Sequence, residues 1–360
     1  MDFFYSVVQL HFTIGLRKLI HINTYLKKEV LTVKKIISMI LVLVLVLSLV
    51  ACGAEKKSEA KDETVRVACI LSGPISDMSW NYTAHQGMLK IEALGAEIAY
   101  QENVENSALP DCINTYANEG YDVIFLSTNS YEEAAMPITK DYPDTQFIII
   151  NGQTTAGNVT SYAVADEDQG FMQGVICAAL STTNKVGFLA AMEITPMLNG
   201  RSGFEQGAKY YNENAEVNSV MIGSFTDVAA AKEMTKAMID AGVDAVAPMC
   251  DSAALGVVEA AEENRIFTAS SGDGQETVGP NCVAISVVKD TSVVYEQAFK
   301  AYLNGELTGD TGIVKLGAKD GVVYLTDWFA CADGVSEDVK AAVAAAYKAL
   351  ASGEITIELG

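Results

Sequence analysis

Binding a ligand, or transforming one, needs polar side chains gathered where a fold can present them. This sequence places such groups directly after its apolar runs. VRVACIL (65–71) is followed by SGPISDMSWNYTAHQG (72–87), which holds Asp77, Trp80, Asn81 and His85 within nine residues. DVIFLS (122–127) ends in Ser127-Thr128-Asn129, DAVAPMC (244–250) runs into Asp251-Ser252, RIFTASS (265–271) leads to Gly272-Asp273-Gly274, and NCVAISVV (281–288) is followed by Lys289. Three chemistries compete for these residues. Asp77, Asp251 and Asp273 could supply a carboxylate pair for hydrolysis. A Ser-His-Asp triad would have to use His85, the only histidine after residue 52, which falls inside a predicted helix. The same carboxylates could instead accept hydrogen bonds from the hydroxyls and ring N–H groups of a neutral polar ligand, with Trp80 offering a flat π face.

The binding reading is the stronger. G-x-S-x-G, a Walker loop and a G-x-G-x-x-G after a strand are all missing from the sequence. No catalytic residue, metal ligand or cofactor is assigned. Each polar group alone also reads as a local structural device: Asn81 as a helix N-cap worth about 1 kcal/mol, Trp80 as a staple of the helix entry onto the core. Their convergence at several strand ends is what favours a ligand.

The elements that must position them follow from periodicity. Short apolar runs at 65–71, 96–104, 122–127, 145–150 and 159–164 alternate with helical segments at 82–94, 108–119 and 131–141. After a break at 150–170 the rhythm resumes, with strands at 185–191, 216–224, 244–250, 265–271 and 281–288 and helices at 167–181, 196–213, 227–241 and 251–264. An Ala/Lys helix at 335–352 and the stretch ITIEL close the chain. Continuous apolar strands separated by helices imply parallel sheets covered on both faces. The expected architecture is α/β, two doubly wound lobes with a cleft between them, with ligand groups beyond the carboxyl ends of the strands.

The start of the chain reads differently. IISMILVLVLVLSLVA (36–51), preceded by Lys34 and Lys35, has the layout of a secretory signal. It is shorter than the roughly 20 residues of a spanning helix. Residues 1–33 do not fit a signal, and translation is expected to begin at Val33. GAEKKSEAKDET (53–64) reads as a flexible tether. Six of the 24 basic and two of the 46 acidic residues precede Cys52, so the remainder carries 18 and 44, a net of −26. That surface repels nucleic acid. The six cysteines after Cys52 form no C-x-x-C pair and sit largely in apolar runs, as structural thiols do. Ligands at zinc spacing are missing.

Leu49-Val50-Ala51-Cys52 resembles the bacterial lipobox, in which the cysteine is acylated. The rest resembles the basic membrane protein (BMP) family of substrate-binding lipoproteins of ABC importers, whose members include purine nucleoside receptors. Their first loop, G-P-x-x-D-x-G-W and then, after six further residues, G, is matched by Gly73, Pro74, Asp77, Trp80 and Gly87, with Ser79 in place of the glycine. EDQGFMQGVICAAL (167–180), FLAAMEITPMLNGRSGFEQGAK (188–209), FTDVAAAKEMTKAMIDAGVDAV (225–246) and CDSAALGVVEAAEE (250–263) resemble further blocks in order, with Val228 replacing a proline.

The resemblance implies a type I periplasmic-binding-protein fold with lobe 1 at 65–164 and 283–312 and lobe 2 at 165–282 and 313–352. It also implies a monomer, anchored to the extracytoplasmic face of the cell membrane through Cys52 and working with an ABC permease and ATPase. By position, Trp80 would stack on a nucleoside or purine base. Asp77, Asn81, Ser127 and Asn129 would bond its polar edges from one lobe, and Asp251, Ser252 and Asp273 from the other. Lys289 matches the family's lysine in the segment returning to lobe 1. An aromatic or histidine common near Met249 is absent, and Phe225 is expected to supply the second ring face. Gly272-Asp273-Gly274 replaces a more usual acidic pair. A ligand sensor signalling to a membrane partner, or a binder of a sugar or other small solute, are the alternatives.

Overall fold

The computed structural model describes residues 64–77, 80–309 and 311–359. The proposed start, the leader with Cys52, and the tether up to residue 63 lie outside the described residues. Thr64–Gly360 forms one compact unit.

Its first ten strands follow the apolar runs, most of them separated by helices. The first set is β1 (Arg66–Ile70), α1 (Trp80–Ala93), β2 (Glu97–Gln101), α2 (Leu109–Asn118), β3 (Val123–Leu126), α3 (Glu132–Thr139), β4 (Gln146–Ile150) and β5 (Val159–Val164). The second is α4 (Asp166–Leu180), β6 (Lys185–Ala190), α5 (Thr195–Tyr211), β7 (Glu216–Met221), α6 (Val228–Asp240), β8 (Ala245–Met249), α7 (Ala254–Asn264), β9 (Phe267–Ser270) and β10 (Val283–Lys289). Then come α8 (Ser292–Leu303), β11 (Val314–Leu316), β12 (Val323–Leu325) and α9 (Glu337–Ala351).

The strands form two six-stranded sheets, β11-β5-β4-β3-β1-β2 and β12-β10-β9-β8-β6-β7. The first is parallel throughout, and the second is parallel except for the β10–β12 pair. Both wind in the same order, so the architectural repeat expected from the sequence is present. Period-two alternation divides the first lobe's core into two layers. Val67, Cys69, Val123, Phe125, Ile148 and Ile150 face one side. Ala68, Ile70, Ile124, Leu126, Phe147 and Ile149 face the other.

The chain crosses between sheets three times: from β5 to α4, from β10 to α8, and from β11 to β12. The lobe boundaries therefore need correcting. Residues 283–289 were expected in lobe 1, yet β10 pairs with β9 and β12 in the second sheet. Residues 314–316 were expected in lobe 2, yet β11 pairs with β5 in the first. Only after β10 does the chain return to lobe 1, where Val294, Tyr295, Ala298 and Phe299 of α8 join Ala84, Met88 and Ile91 of α1. Gly87 permits that approach, because a Cβ there would stand 2.6 Å from the Tyr295 Cβ. The helix α8 and the three-residue strands were not legible in the sequence.

In the second lobe α4 lies unusually close to α5. A Cβ on Gly170, Gly174, Gly203 or Gly207 would collide with the backbone carbonyl of Gly200, Phe204, Glu167 or Phe171 respectively. Six cysteines lie among the described residues, all free and five of them buried. Burial pushes the Cys69 thiol up to about 12, as befits packing groups. Among the described residues no helix is long and apolar enough to cross a membrane.

Overpacking a tight core costs about 1–3 kcal/mol or more. Gly207→Ala should therefore lower the thermal midpoint by several degrees. Gly334→Ala, where a Cβ meets nothing within 4 Å, should leave it unchanged. Equal midpoints for the two variants would contradict the close-packed interface.

Candidate functional site

Two adjoining cavities open between the carboxyl ends of the two sheets, each about 240 Å³. Together they reach the ~300–1,000 Å³ range of small-molecule sites. Trp80, Met197, Asp251 and Lys289 belong to both walls and so form the waist between them. Asp273 faces the first cavity. Asp77, Asn81, Asn129, Phe225 and Ser252 face the second. Nine of the ten residues expected at a ligand site thus converge on one cleft.

The tenth, Ser127, does not line either cavity. Its side chain is fully buried, and its hydroxyl accepts a hydrogen bond from the Ser72 N–H at 3.2 Å. The expectation that this hydroxyl bonds a ligand is corrected accordingly: it ties the ends of β1 and β3 together. Its carbonyl has a second task, accepting the Trp80 indole N–H at 2.7 Å. That bond satisfies the ring's only donor and fixes the indole plane, leaving the ring with packing and π contacts to offer.

Asp77 and Asn81 also have structural duties. The Asp77 carboxylate accepts from the Asn81 N–H and the Asn81 side-chain amide, both at 2.8 Å, and from the Tyr82 N–H at 2.9 Å. It is therefore Asp77, rather than Asn81, that serves the orphan N–H groups at the start of α1. Asn81 in turn accepts from the Gly73 N–H at 3.2 Å, which holds the loop over the helix. Gly73 leaves no room for a side chain, since a Cβ would lie 2.7 Å from Nδ2 of Asn81. Asp251 adopts φ +45°, a left-handed conformation uncommon for a residue with a Cβ and often found at functional sites.

The sequence did not single out Met197, Asn151 or Asp166. Met197 follows Pro196 in the first turn of α5 and brings a polarizable side chain to the waist. Asn151, in the left-handed region at φ +58°, lines the second cavity and bonds Asp166 at 3.2 Å. An Asn-Gly pair directly after β4 was the available signal for it.

Asp166, Glu167 and Asp168 open α4 at the first crossing, and each holds part of another crossing. Asp166 pairs with Lys289 at 2.5 Å. Glu167 pairs with Lys315 of β11. Asp168 accepts from the Ala318 N–H at 2.8 Å. Burial pushes the Asp166 carboxyl up, and the Lys289 ammonium and Asn151 amide hold it back. Burial likewise raises Asp168 to about 6, opposed by the Ala318 N–H and reinforced by Glu167.

An unfolded Asp titrates near 3.9. Between about 4 and 6 the folded chain therefore binds a proton at Asp168 that the unfolded chain does not. The contribution favours folding at low pH and is lost as pH rises through about 6. Asp168→Asn should flatten that part of the stability profile in urea titrations between pH 4 and 7; an unaltered slope would remove Asp168 from the response.

Comparison with known proteins gives the site a context. The family described as ABC transporter substrate-binding protein PnrA-like (Bmp) matches residues 64–354. A transcriptional activator protein, med, of Bacillus subtilis is 27% identical over 78% of this chain and 89% of its own. A purine-binding protein of Brucella abortus is 26% identical over 82% of this chain and 83% of its own. An ABC transporter solute-binding protein from Aeropyrum pernix superposes with a TM-score of 0.72 at 22% identity, covering 82% of this chain and 94% of that one. That last match is a likeness of fold, the periplasmic-binding fold.

Proposed function

The chain belongs to the Bmp family of PnrA-like ABC transporter substrate-binding proteins, and we propose that it is a lipid-anchored receptor on the extracytoplasmic face that delivers a nucleoside or purine base to an ABC permease and its ATPase. The observation that carries the ligand assignment is Trp80. Its ring stands at the waist of the inter-lobe cleft, pinned by the Ser127 carbonyl, with the half-buried Phe225 on the opposite lobe. Two aromatic rings on facing walls support the reading of a planar heterocycle as ligand. Asp251, Ser252 and Asp273 supply acceptors for hydroxyl and N–H donors. A purine-binding relative supports the same class of ligand. Binding between lobes joined by three crossings works by favouring one lobe arrangement over others through differential contacts, with no bond made or broken.

A second reading, a ligand sensor that signals to a membrane partner, draws on the relative from Bacillus subtilis whose name is that of a transcriptional activator. The cleft would serve either role. Finding genes for an ATPase and two permeases beside this one would favour transport.

Base stacking on an aromatic ring is worth about 1–3 kcal/mol. Trp80→Ala should therefore weaken purine nucleoside binding roughly 5- to 150-fold in calorimetry while circular dichroism stays unchanged; undiminished affinity would remove Trp80 from the site. In a thermal-shift panel of nucleosides, bases and sugars, stabilisation by sugars alone would reject the purine assignment. For the anchor, Cys52→Ala should abolish incorporation of labelled palmitate and release the protein from the membrane fraction. Retained label would place the acylation on another residue.

A further inference from the structure

The charge at the waist of the cleft bears on which form of the ligand is accepted, an inference that rests on the nucleoside reading above. Among the described residues lining the two cavities, Lys90 and Lys289 are the only cations. Lys90 stands 3.9 Å from both Asp290 and Glu296. Lys289 is the one at the waist, with its ammonium 5.2 Å from the centre of the Trp80 ring. An exposed lysine there would attract the phosphate of a nucleotide as readily as the hydroxyls of a nucleoside. This lysine is not available in that way. Its side chain is 12% exposed, and its Nζ lies 2.5 Å from Oδ1 of Asp166, whose side chain is 2% exposed. The ion pair carries no net charge. With it neutralised, the first cavity keeps Asp251 and Asp273 on its wall, and the second keeps Asp77 and Asp251.

We propose that Asp166, lying behind the cavity wall, is a specificity-determining residue: by neutralising Lys289 it leaves a cleft that accepts the uncharged nucleoside and rejects its 5′-phosphate. Removing the carboxylate without changing the side chain's shape unmasks a cation at the waist, and a phosphate then gains a partner it lacked. Such discrimination comes from building against the wrong ligand as much as for the right one. Lys289 keeps its place against Trp80 in both forms, so the nucleoside itself gains nothing comparable.

The test is calorimetry on the tether-and-lobes chain (residues 53–360), with guanosine and guanosine 5′-monophosphate as probes. For the wild type, the monophosphate should bind about 100-fold or more weakly than the nucleoside, and added salt should narrow that gap because screening weakens charge repulsion. In Asp166→Asn the ratio should narrow by about tenfold or more through tighter phosphate binding. In Asp166→Asn/Lys289→Met the gain should vanish. A wild type that binds both equally, an Asp166→Asn ratio equal to the wild type's, or a gap unmoved by salt would each overturn the proposal. The salt series needs only the wild type, so a gap unmoved by salt overturns the proposal even if Asp166→Asn does not fold. If guanosine itself does not bind, the nucleoside reading fails separately. The charge inference is then decided in the same way on whichever sugar binds, measured beside its phosphate ester.

Discussion

Three consecutive carboxylates at the start of α4 hold the crossings of this molecule together. Asp166 reaches Lys289 at the end of β10, Glu167 reaches Lys315 in β11, and Asp168 reaches the backbone of Ala318 on the way to β12. Because each crossing carries the chain between sheets, these bonds set where the two lobes meet. Their energetics are those of buried charge. Such a pair adds little net stability, since desolvation offsets the attraction, but losing one partner leaves an uncompensated ion and is costly, about 3–5 kcal/mol. The arrangement therefore specifies geometry more than it stabilises the fold. Asp166 shows how fully the demand is met: a lysine and an asparagine amide both serve one buried carboxylate.

From that geometry the cleft follows. Lys289 belongs at once to a crossing and to the cavity waist, so the position of the lobes and the electrostatics of the site are one structural fact. Trp80 is fixed from the other side by a backbone carbonyl, and the loop before it by the Asp77 and Asn81 network. In the second lobe the glycine-lined contact between α4 and α5 sets Met197, Pro196 and Ile194 against the first. Rigid placement of few polar groups around apolar surfaces is what selectivity for a small planar ligand needs.

Much of this was legible in the sequence because it is local. Continuous apolar runs such as 145–150 gave strands, and the residues just after them, with Phe225 from the family resemblance, supplied nine cavity-lining residues out of ten expected. What was not legible depends on long-range pairing. The strand at 281–288 was recognised but placed in the wrong lobe, because β10 has the same composition as any central strand and nothing local says which sheet accepts it. With three residues each, β11 and β12 are too short to show a period. Ser127 was chosen correctly by position, yet its side chain turns behind the wall and only its carbonyl serves the site. Asp166 was missed because its partner lies 123 residues away, and a carboxylate in the first turn of a helix otherwise reads as an ordinary response to the helix dipole.

The most direct measurement uses the indole itself. The chain has two tryptophans, so Trp328→Phe leaves Trp80 as the only one. Guanosine titrated into that variant should quench or shift its emission with the same midpoint that calorimetry gives for binding. Calorimetric binding with no change in Trp80 emission would contradict a ligand held at the waist of the cleft.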